Sequence, residues 1–429
     1  MSKNQAASLV LLLLLLATVG ITAEHPVAAA QRHQQEANAA YRAGDYRGFT
    51  QSLERAYDLN PASLATRYNL ACGYARTGRH DAALDLLAEL AMARVDFGMA
   101  DDPDLASLRD LPRFQLLAEE LDASIVPISN STERLVVDEI GLAPEGIALD
   151  AATGRLFFGS MRTGDIFVTD ASGQWSRFAS VGDSGPYSAI GMTVDSEKGL
   201  LWTVGTWFFM AEGFEADAPR PSGLFGFDLA DGALRQQYLV DVSVNGLNDV
   251  VVTANGDVYV SGDVLHVLKA GAGELQPVVT DPQAFGSNGL AAEPSGSSLF
   301  ISSYPVGIGV IDIDSGELRY LEAPAGQSLY GIDGLYWHEG DLIGIQNGIQ
   351  PWRLLRMELN EDLTAVTGMQ VIEFANDALT ATTGAIDGDR LHYIGQGPAP
   401  EQPPGQFPAS LAPFLGKTVI MSAPLTVPD

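Results

Sequence analysis

The sequence predicts an all-β six-bladed β-propeller that follows a small α-helical domain. The first observation is a repeated unit of two strands and an Asp/Gly turn, whose copies begin at residues 145, 191, 248, 288, 333 and 383. The copies are 40 to 57 residues apart, which is the span of one four-stranded blade. The second observation is a preceding stretch whose apolar residues recur every three and four positions, as in helices. The third is 45 glycines and 23 prolines among 429 residues, which indicate many turns.

Residues 1–23 have the layout of a secretory signal peptide. Lys3 supplies a positive charge, and an apolar run from Leu9 to Ala17 is followed by small residues up to Ala23. This run is shorter than the roughly 20 apolar residues that a membrane-spanning helix needs. The sequence therefore predicts a periplasmic or secreted protein, with no membrane association beyond the cleaved signal.

Residues 31–121 predict the helical domain, which contains an internal repeat. Gly44 and Gly78 lie 34 residues apart at predicted turns between paired helices, and Pro61 follows the second helix of the first pair. A 34-residue period with these residues is the tetratricopeptide pattern. Because helical repeats offer extended binding surfaces, docking of a protein partner is one interpretation of this domain. Cys72 stands at a small-residue position, and we expect it to be a buried packing residue.

The charge balance narrows the choice of ligand. Asp and Glu outnumber Lys and Arg by 54 to 24, for a net charge of −30. Such a chain repels phosphate backbones and anionic lipids, which excludes nucleic acid as a partner. A divalent cation or a small molecule fits better. A single cysteine excludes an internal disulfide and a cysteine-rich zinc site.

The propeller is predicted to span residues 134–425, and its ring is closed by strands at Arg134–Ile140 and Lys417–Met421. Two irregular segments, residues 208–222 and 402–413, are candidates to lie over one face of the ring. A ring that closes in this way leaves no open sheet edge.

Four of the units start their first strand with a polar residue: Glu145, Asn248, Asn288 and Asp333. The innermost strands of a propeller run the same way along the central channel, so equivalent strand starts converge at one mouth. Carboxylate and amide oxygens are ligands that Ca²⁺ prefers. The lack of histidine and thiolate at these positions argues against zinc or copper. The alternative is that each residue makes a turn by bonding its own backbone.

The sequence motifs around these residues resemble those of a known propeller family. The run Pro-Glu-Gly-Ile-Ala-Leu-Asp at 144–150, with Gly-Arg-Leu-Phe-Phe-Gly-Ser at 154–160, is similar to the first blade of the senescence-marker-protein/gluconolactonase-like propellers. Asn248-Asp249, Ser287-Asn288-Gly289-Leu290 and Asp333-Gly334-Leu335 are similar to that family's later blades, in order. The resemblance covers about residues 136–398 and implies a six-bladed propeller with one divalent metal, usually Ca²⁺, at the mouth.

The resemblance also implies roles for individual residues. Glu145, Asn288 and Asp333 would be metal ligands, and Asn248 would be a ligand or a substrate contact. The sequence departs from the family where Gly246 replaces an arginine that is frequent in sugar lactonases, and where Gly-Ile-Ala-Leu replaces Gly-Pro-x-Trp after the first-blade glutamate. Both departures argue against a sugar lactone as substrate.

The expected activity is metal-dependent hydrolysis of a lactone or ester. The ion would polarise the carbonyl, and a carboxylate, either Asp333 or Asp249, would take the proton of a water molecule. Trp207 is a candidate substrate contact near the mouth. His266, His338 and His392 are rival bases.

Two other readings stay open. In one, the propeller is a non-catalytic binding protein with a structural Ca²⁺, and the helical repeats dock a partner. In the other, the activity is strictosidine-synthase-like and uses no metal. The fold alone does not decide between the hydrolase and these two alternatives.

Overall fold

We describe the chain in a computed structural model. The described residues are 25–170, 172–215, 221–240, 246–278, 286–376, 379–396 and 416–426. The predicted signal peptide (1–23), the segment 402–413 and part of the segment 208–222 lie outside these ranges. In the described part of the chain, no helix is both long and apolar enough to cross a membrane.

The helical region precedes the propeller and begins and ends slightly beyond the predicted 31–121. Its α-helices in the described chain are α1 (Pro26–Arg42), α2 (Tyr46–Leu59), α3 (Leu64–Arg76), α4 (His80–Met92) and α5 (Pro112–Ser124), with a 3₁₀ turn at Pro103–Leu108. The Asp45 carboxylate caps α2 by accepting from the Gly48 N–H, and Ser63 caps α3 by accepting from the Thr66 N–H. Such caps satisfy N–H groups that have no partner inside the helix.

Small residues let the helices pack closely. A Cβ atom on Gly73 of α3 would lie 2.7 Å from the Thr50 hydroxyl oxygen of α2. Cys72 is buried in the same core, beside Leu53 and Leu87. Burial raises the pKa of the Cys72 thiol, which keeps it protonated and unreactive. The predicted packing role of this cysteine is confirmed.

The propeller has six sheets of four antiparallel strands. The first strand, β1 (Thr132–Ile140), belongs to the last blade. The first three blades are β2 (Pro144–Asp150), β3 (Arg155–Ser160), β4 (Asp165–Thr169), β5 (Trp175–Ser180); β6 (Ser188–Asp195), β7 (Leu200–Thr206), β8 (Ser222–Asp228), β9 (Leu234–Val240); and β10 (Leu247–Val252), β11 (Val258–Gly262), β12 (His266–Leu268), β13 (Gln276–Pro277). A 3₁₀ turn at Gly182–Ser184 joins the first two blades.

The other three blades follow the same order. They are β14 (Ser287–Ala292), β15 (Ser298–Ser303), β16 (Gly307–Asp312), β17 (Leu318–Tyr320); β18 (Ile332–His338), β19 (Asp341–Gln346), β20 (Arg353–Leu359), β21 (Val366–Phe374); and β22 (Gly384–Asp387), β23 (Arg390–Gln396), β24 (Lys417–Pro424), completed by β1. Val136 of β1 lies opposite Val419 of β24. This is the closing pair that the sequence predicted, and the predicted six-bladed fold with an N-terminal helical region is confirmed.

The inner strand of each of the first five blades starts with a break in register. In the first blade Pro144 pairs with Ser160 and Ile147 with Phe158, so the residues between them stand out of the ladder. Equivalent breaks precede Met192, Val250, Leu290 and Leu335. A bulge of this kind redirects side chains and is frequent beside functional sites. The four predicted ring residues lie at these bulges.

Glycines at the bulges allow neighbouring blades to touch. A Cβ atom on Gly289 of the fourth blade would overlap the carbonyl oxygen of Asp333 in the fifth. A Cβ atom on Gly191 would lie 2.5 Å from the carbonyl oxygen of Asn248 in the third blade. Neither glycine has a positive φ. These glycines are therefore explained by the close approach between blades, not by a turn that needs a positive φ.

Candidate functional site

Three of the predicted ring residues, Glu145, Asn288 and Asp333, come together with Asp249 at one mouth of the channel, and Asn248 precedes Asp249 on β10. Glu145 on β2, Asp249 on β10 and Asp333 on β18 are buried, while Asn248 and Asn288 are partly exposed. The charges of Asp249 and Asp333 both act on Glu145, so the three carboxylates face one another although they lie far apart in sequence. Among the described residues the three do not form a compact triad, because the one His/Cys/Asp/Glu group with ligand atoms within 4.8 Å of one another is Cys72, Asp102 and Asp104.

Glu145 has the least compensated of these carboxylates. Its Oε2 is buried and has no hydrogen-bond partner in the structure, and its one side-chain hydrogen bond is with Thr382. Burial, followed by the charges of Asp333 and Asp249, raises the pKa of Glu145 well above its ordinary value. A buried polar atom without a partner is costly, so it indicates that something else normally binds there.

Asp333 is held by amide side chains. The Asn347 Nδ2 donates to Asp333 Oδ2 at 2.6 Å, and Asn288 is hydrogen-bonded to the same carboxylate. Burial and the charge of Asp249 raise the pKa of Asp333 to about 7, although both hydrogen bonds lower it. A carboxyl group with a pKa near neutrality can take up and release a proton at physiological pH.

Asp249 is bonded to backbone instead. Its Oδ2 accepts from the Leu290 N–H of the fourth blade at 3.0 Å, and the Val250 N–H also bonds it. Burial raises the pKa of Asp249 to about 6 against the opposite effect of these hydrogen bonds. Asp249 therefore joins two blades while it adds negative charge to the site.

The site fits a divalent cation. No lysine or arginine among the described residues contributes to the pKa of Glu145, Asp249 or Asp333. The site contains three buried carboxylates, a Glu145 oxygen without a partner among the described residues, and the Asn288 amide beside Asp333. This set offers oxygen ligands and carries excess negative charge. Hard cations such as Ca²⁺ are bound by sets of this composition.

Tyr336 was missed by the sequence analysis. It projects from β18 into the channel, where its hydroxyl accepts a hydrogen bond from the Gly384 N–H. Burial, followed by the charges of Asp249, Asp333 and Glu145, raises the pKa of Tyr336 well above its ordinary value. Tyr336 comes three residues after Asp333, so strict strand alternation would place the two on opposite faces, and the bulge between Ile332 and Leu335 changes that alternation. Asn347 and Thr382 were missed because they lie in loops.

Beyond the carboxylates the channel continues as a cavity of about 190 Å³. Asp249, Tyr336 and Thr383 lie along it together with apolar side chains such as Ile147 and Val250. The acidic site therefore lies at one end of a channel that is lined by both polar and apolar groups.

The histidines are not brought to the carboxylates. His338 ends β18 opposite Asp341, at the end of the blade away from the mouth. His392 of β23 lies opposite Ala385, and its Nε2 is 3.1 Å from Asp387 Oδ2 at the end of β22. His266 is partly buried, with its Nδ1 beside the Val264 carbonyl oxygen at 2.9 Å. None of them affects the pKa of the three carboxylates.

Trp207 follows β7 on the mouth side. It is buried, its indole Nε1 has no hydrogen-bond partner in the structure, and its ring lies edge-on to Phe214 with centroids 5.6 Å apart. The neighbouring Phe209 is half exposed. The described part of the segment 208–222 thus presents aromatic side chains near the mouth, and Glu212 in it forms an ion pair with Arg162 of the first blade.

Among known proteins, similarity to this chain is found only with solved structures. No family model and no curated protein matches the chain. Similar solved structures include a gluconolactonase from Xanthomonas campestris, which is 17% identical with a TM-score of 0.46. The match covers 71% of this chain and 92% of the gluconolactonase chain. A luciferin-regenerating enzyme is 16% identical with a TM-score of 0.46, covering 70% and 95%. The calcium-binding protein regucalcin from Agrobacterium tumefaciens is 16% identical with a TM-score of 0.44, covering 68% and 95%. Gluconolactonase-like propellers are thus among the structural neighbours, and the likeness is one of fold.

Proposed function

We propose that the chain is an exported, divalent-metal-dependent hydrolase of a lactone or ester, with its site at the propeller mouth. The observation that carries this proposal is the buried Glu145 Oε2 without a partner, set beside the charges of Asp333 and Asp249. Such a site is destabilised unless a cation balances it.

Glu145, Asn248, Asn288 and Asp333 are the proposed ligands, and Ca²⁺ is the proposed ion because every donor is an oxygen atom. When bound, the ion supplies polarisation of the substrate carbonyl and stabilisation of negative charge on its oxygen.

Asp333 is the better candidate for the proton acceptor. Asp249 is bonded to the backbone N–H groups of Leu290 and Val250, which ties it to the propeller frame. Asp333 is bonded instead by the side chains of Asn347 and Asn288 at the mouth. Asp249 then acts through its charge, which raises the pKa of Asp333.

Trp207 and the aromatic side chains after it supply a surface for the apolar part of a substrate. The buried indole N–H of Trp207 without a partner can donate to a substrate oxygen. We expect Trp207→Phe to raise KM for aryl esters more than it lowers kcat, because it removes one donor and little apolar surface.

Hydrolysis of a panel of lactones and aryl esters tests the proposal. The mature protein is assayed with Ca²⁺ and with a chelator, alongside Glu145→Gln and Asp333→Asn. Asp341→Asn is the matched control, since Asp341 pairs with Arg356 at the opposite end of the blade. Ca²⁺-dependent turnover that both site variants lose and the control keeps supports the proposal. No turnover, with Ca²⁺ still raising the Tm, favours the non-catalytic interpretation. If Ca²⁺ gives no turnover and does not raise the Tm either, that result contradicts the metal site itself.

Export is tested separately. Expression of the full chain in a Gram-negative host, followed by fractionation and mass spectrometry of the N-terminus, is expected to give a periplasmic protein that begins near Glu24. An intact N-terminus in the cytosolic fraction would contradict the predicted signal.

A further inference from the structure

The helical domain packs against the propeller loops that support Asp333. Arg353 at the start of β20 is buried, and its guanidinium donates to the carbonyl oxygens of Ala93 and Arg94 at 3.1 and 2.9 Å. Ala93 caps the C-terminus of α4, where the helix dipole is negative and a cation is favourable. No carboxylate pairs with Arg353 among the described residues, so its role is to hold the two domains together.

Further contacts hold two mouth loops. The Asn60 Nδ2 after α2 donates to the Pro305 carbonyl oxygen at 2.9 Å, in the loop between β15 and β16. The Asp96 N–H donates to the Gln350 carbonyl oxygen at 3.1 Å, in the loop between β19 and β20. Ile349 of that loop is buried in the core of the helical domain. One apolar core therefore includes side chains from both domains.

The same loops are joined to each other beside the site. The Gly331 N–H donates to the Tyr304 carbonyl oxygen at 2.9 Å, and the Gly348 N–H donates to the Gly331 carbonyl oxygen at 3.0 Å. A Cβ atom on Gly348 would lie 2.8 Å from the Tyr304 ring. A displacement of one loop is thus passed to the others.

A continuous set of side-chain contacts then leads from the helical domain to Asp333. The Ser63 cap of α3 is hydrogen-bonded to Tyr330, whose ring centroid lies 6.4 Å from that of Tyr304. The Tyr304 hydroxyl donates to Asn347 Oδ1 at 3.0 Å, and Asn347 Nδ2 donates to Asp333 at 2.6 Å. In this orientation the Asn347 amide oxygen accepts from the Tyr304 hydroxyl, and its NH₂ group faces the carboxylate acceptor.

We propose that the helical domain is a built-in part of the site, and that Tyr304 and Asn347 are positioning residues that orient the Asp333 carboxylate. The role of this domain is then to hold the propeller's own mouth loops. The inference rests on the proposed function for its catalytic meaning, but the coupling between the helical domain and Asp333 has a test that needs no metal.

The first test measures Ca²⁺ affinity by calorimetry. Asn347→Ala is expected to weaken binding by about 10- to 100-fold, the usual effect of removing a partner that orients a metal ligand. Tyr304→Phe keeps the ring but frees the amide, and we expect roughly fivefold weaker binding from the loss of one hydrogen bond. Tyr68→Phe is the control, since its hydroxyl bonds Asp102 inside the helical domain. Equal affinity in all variants would overturn the inference.

The second test measures hydrogen exchange in the metal-free protein. Arg353→Met removes the two hydrogen bonds from Arg353 to the carbonyl oxygens of Ala93 and Arg94. We expect exchange in residues 330–334 to accelerate by about tenfold or more, with no such change in Tyr68→Phe. Ser63→Ala is a milder second variant should Arg353→Met fold poorly. Unchanged exchange in 330–334 overturns the inference whatever the metal binding. If exchange is faster in Arg353→Met but the wild-type protein binds no metal, the coupling is supported and the proposed function is contradicted.

Discussion

The Asp249 carboxylate accepts a hydrogen bond from the Leu290 N–H at 3.0 Å, across the boundary between the third and fourth blades. Leu290 is buried, so this N–H has no water to replace the carboxylate. We expect Asp249→Ala to lower the free energy of unfolding by about 1–3 kcal/mol, since it leaves a buried donor unpaired. Asp249→Asn keeps an acceptor and should stay close to the wild type. Urea unfolding of the metal-free variants measures both, and equal losses would show that the carboxylate charge matters, not the bond.

Glu145 and Glu373 are two buried glutamates with opposite surroundings. Glu145 Oε2 has no partner, whereas Glu373 Oε1 accepts from the N–H groups of Asn130 and Ser131 at 2.8 and 2.6 Å. In the metal-free protein at pH 8, Glu145→Gln should raise the free energy of unfolding by about 1 kcal/mol or more, because it removes like-charge repulsion.

The matched Glu373→Gln variant should instead lose stability by about 1–3 kcal/mol, because it weakens charge-assisted hydrogen bonds from two partly buried N–H groups. Thermal unfolding of both variants with a chelator present compares them directly. A Glu145→Gln variant that is destabilised as much as Glu373→Gln would mean that Glu145 Oε2 also has a partner within the protein.

The stability of the metal-free protein should depend on pH through the raised carboxyl groups. The pKa is about 6 for Asp249 and about 7 for Asp333, while both are near 3.9 in the unfolded chain. The folded state therefore binds more protons between about pH 4 and 7, and the free energy of unfolding falls as pH rises through that window. Ca²⁺ binding needs the ionised carboxylates, so Ca²⁺ affinity should rise over the same range.

Urea unfolding of wild type and Asp333→Asn across pH 5 to 8 isolates the effect of this carboxyl group. Burial lowers the pKa of His266 and His392, which destabilises the fold as pH falls, but this contribution is the same in both proteins. The variant should show a shallower loss of stability with rising pH. Parallel curves would contradict the raised pKa of Asp333.

Gly289 should tolerate no side chain. A Cβ atom there would overlap the Asp333 carbonyl oxygen of the next blade, whereas a Cβ atom on Gly273 would meet nothing within 4 Å. We expect Gly289→Ala to cost about 1–3 kcal/mol or more of unfolding free energy, and Gly273→Ala to be neutral or slightly stabilising. Denaturant unfolding compares the pair, and a neutral Gly289→Ala would contradict the close packing of the blades.

The blade order followed from the sequence because each blade repeats the same alternation and turn, and because strand periodicity is a local property. The ring residues followed because equivalent strand starts must converge in a propeller. Asp249 was predicted as a candidate base because it stands beside Asn248, but its bond to Leu290 depends on a contact between blades that no local pattern encodes.

Tyr336 and Asn347 were beyond such reasoning for different physical reasons. Tyr336 follows a bulge between Ile332 and Leu335 that changes the strand alternation, so its approach to the three carboxylates could not be predicted from a period-two pattern. Asn347 lies in a loop whose conformation is set by the helical domain, through Ile349 and Gln350. Contacts between domains leave no periodic signal in a single sequence.

Calorimetric titration of the metal-free mature protein with Ca²⁺ tests the central claim most directly. We expect one ion per chain, loss of binding in Glu145→Gln, and unchanged binding in Glu373→Gln, where the matched glutamate lies outside the mouth. Absence of binding in the wild type, or equal binding in wild type and Glu145→Gln, would contradict a cation site at the propeller mouth.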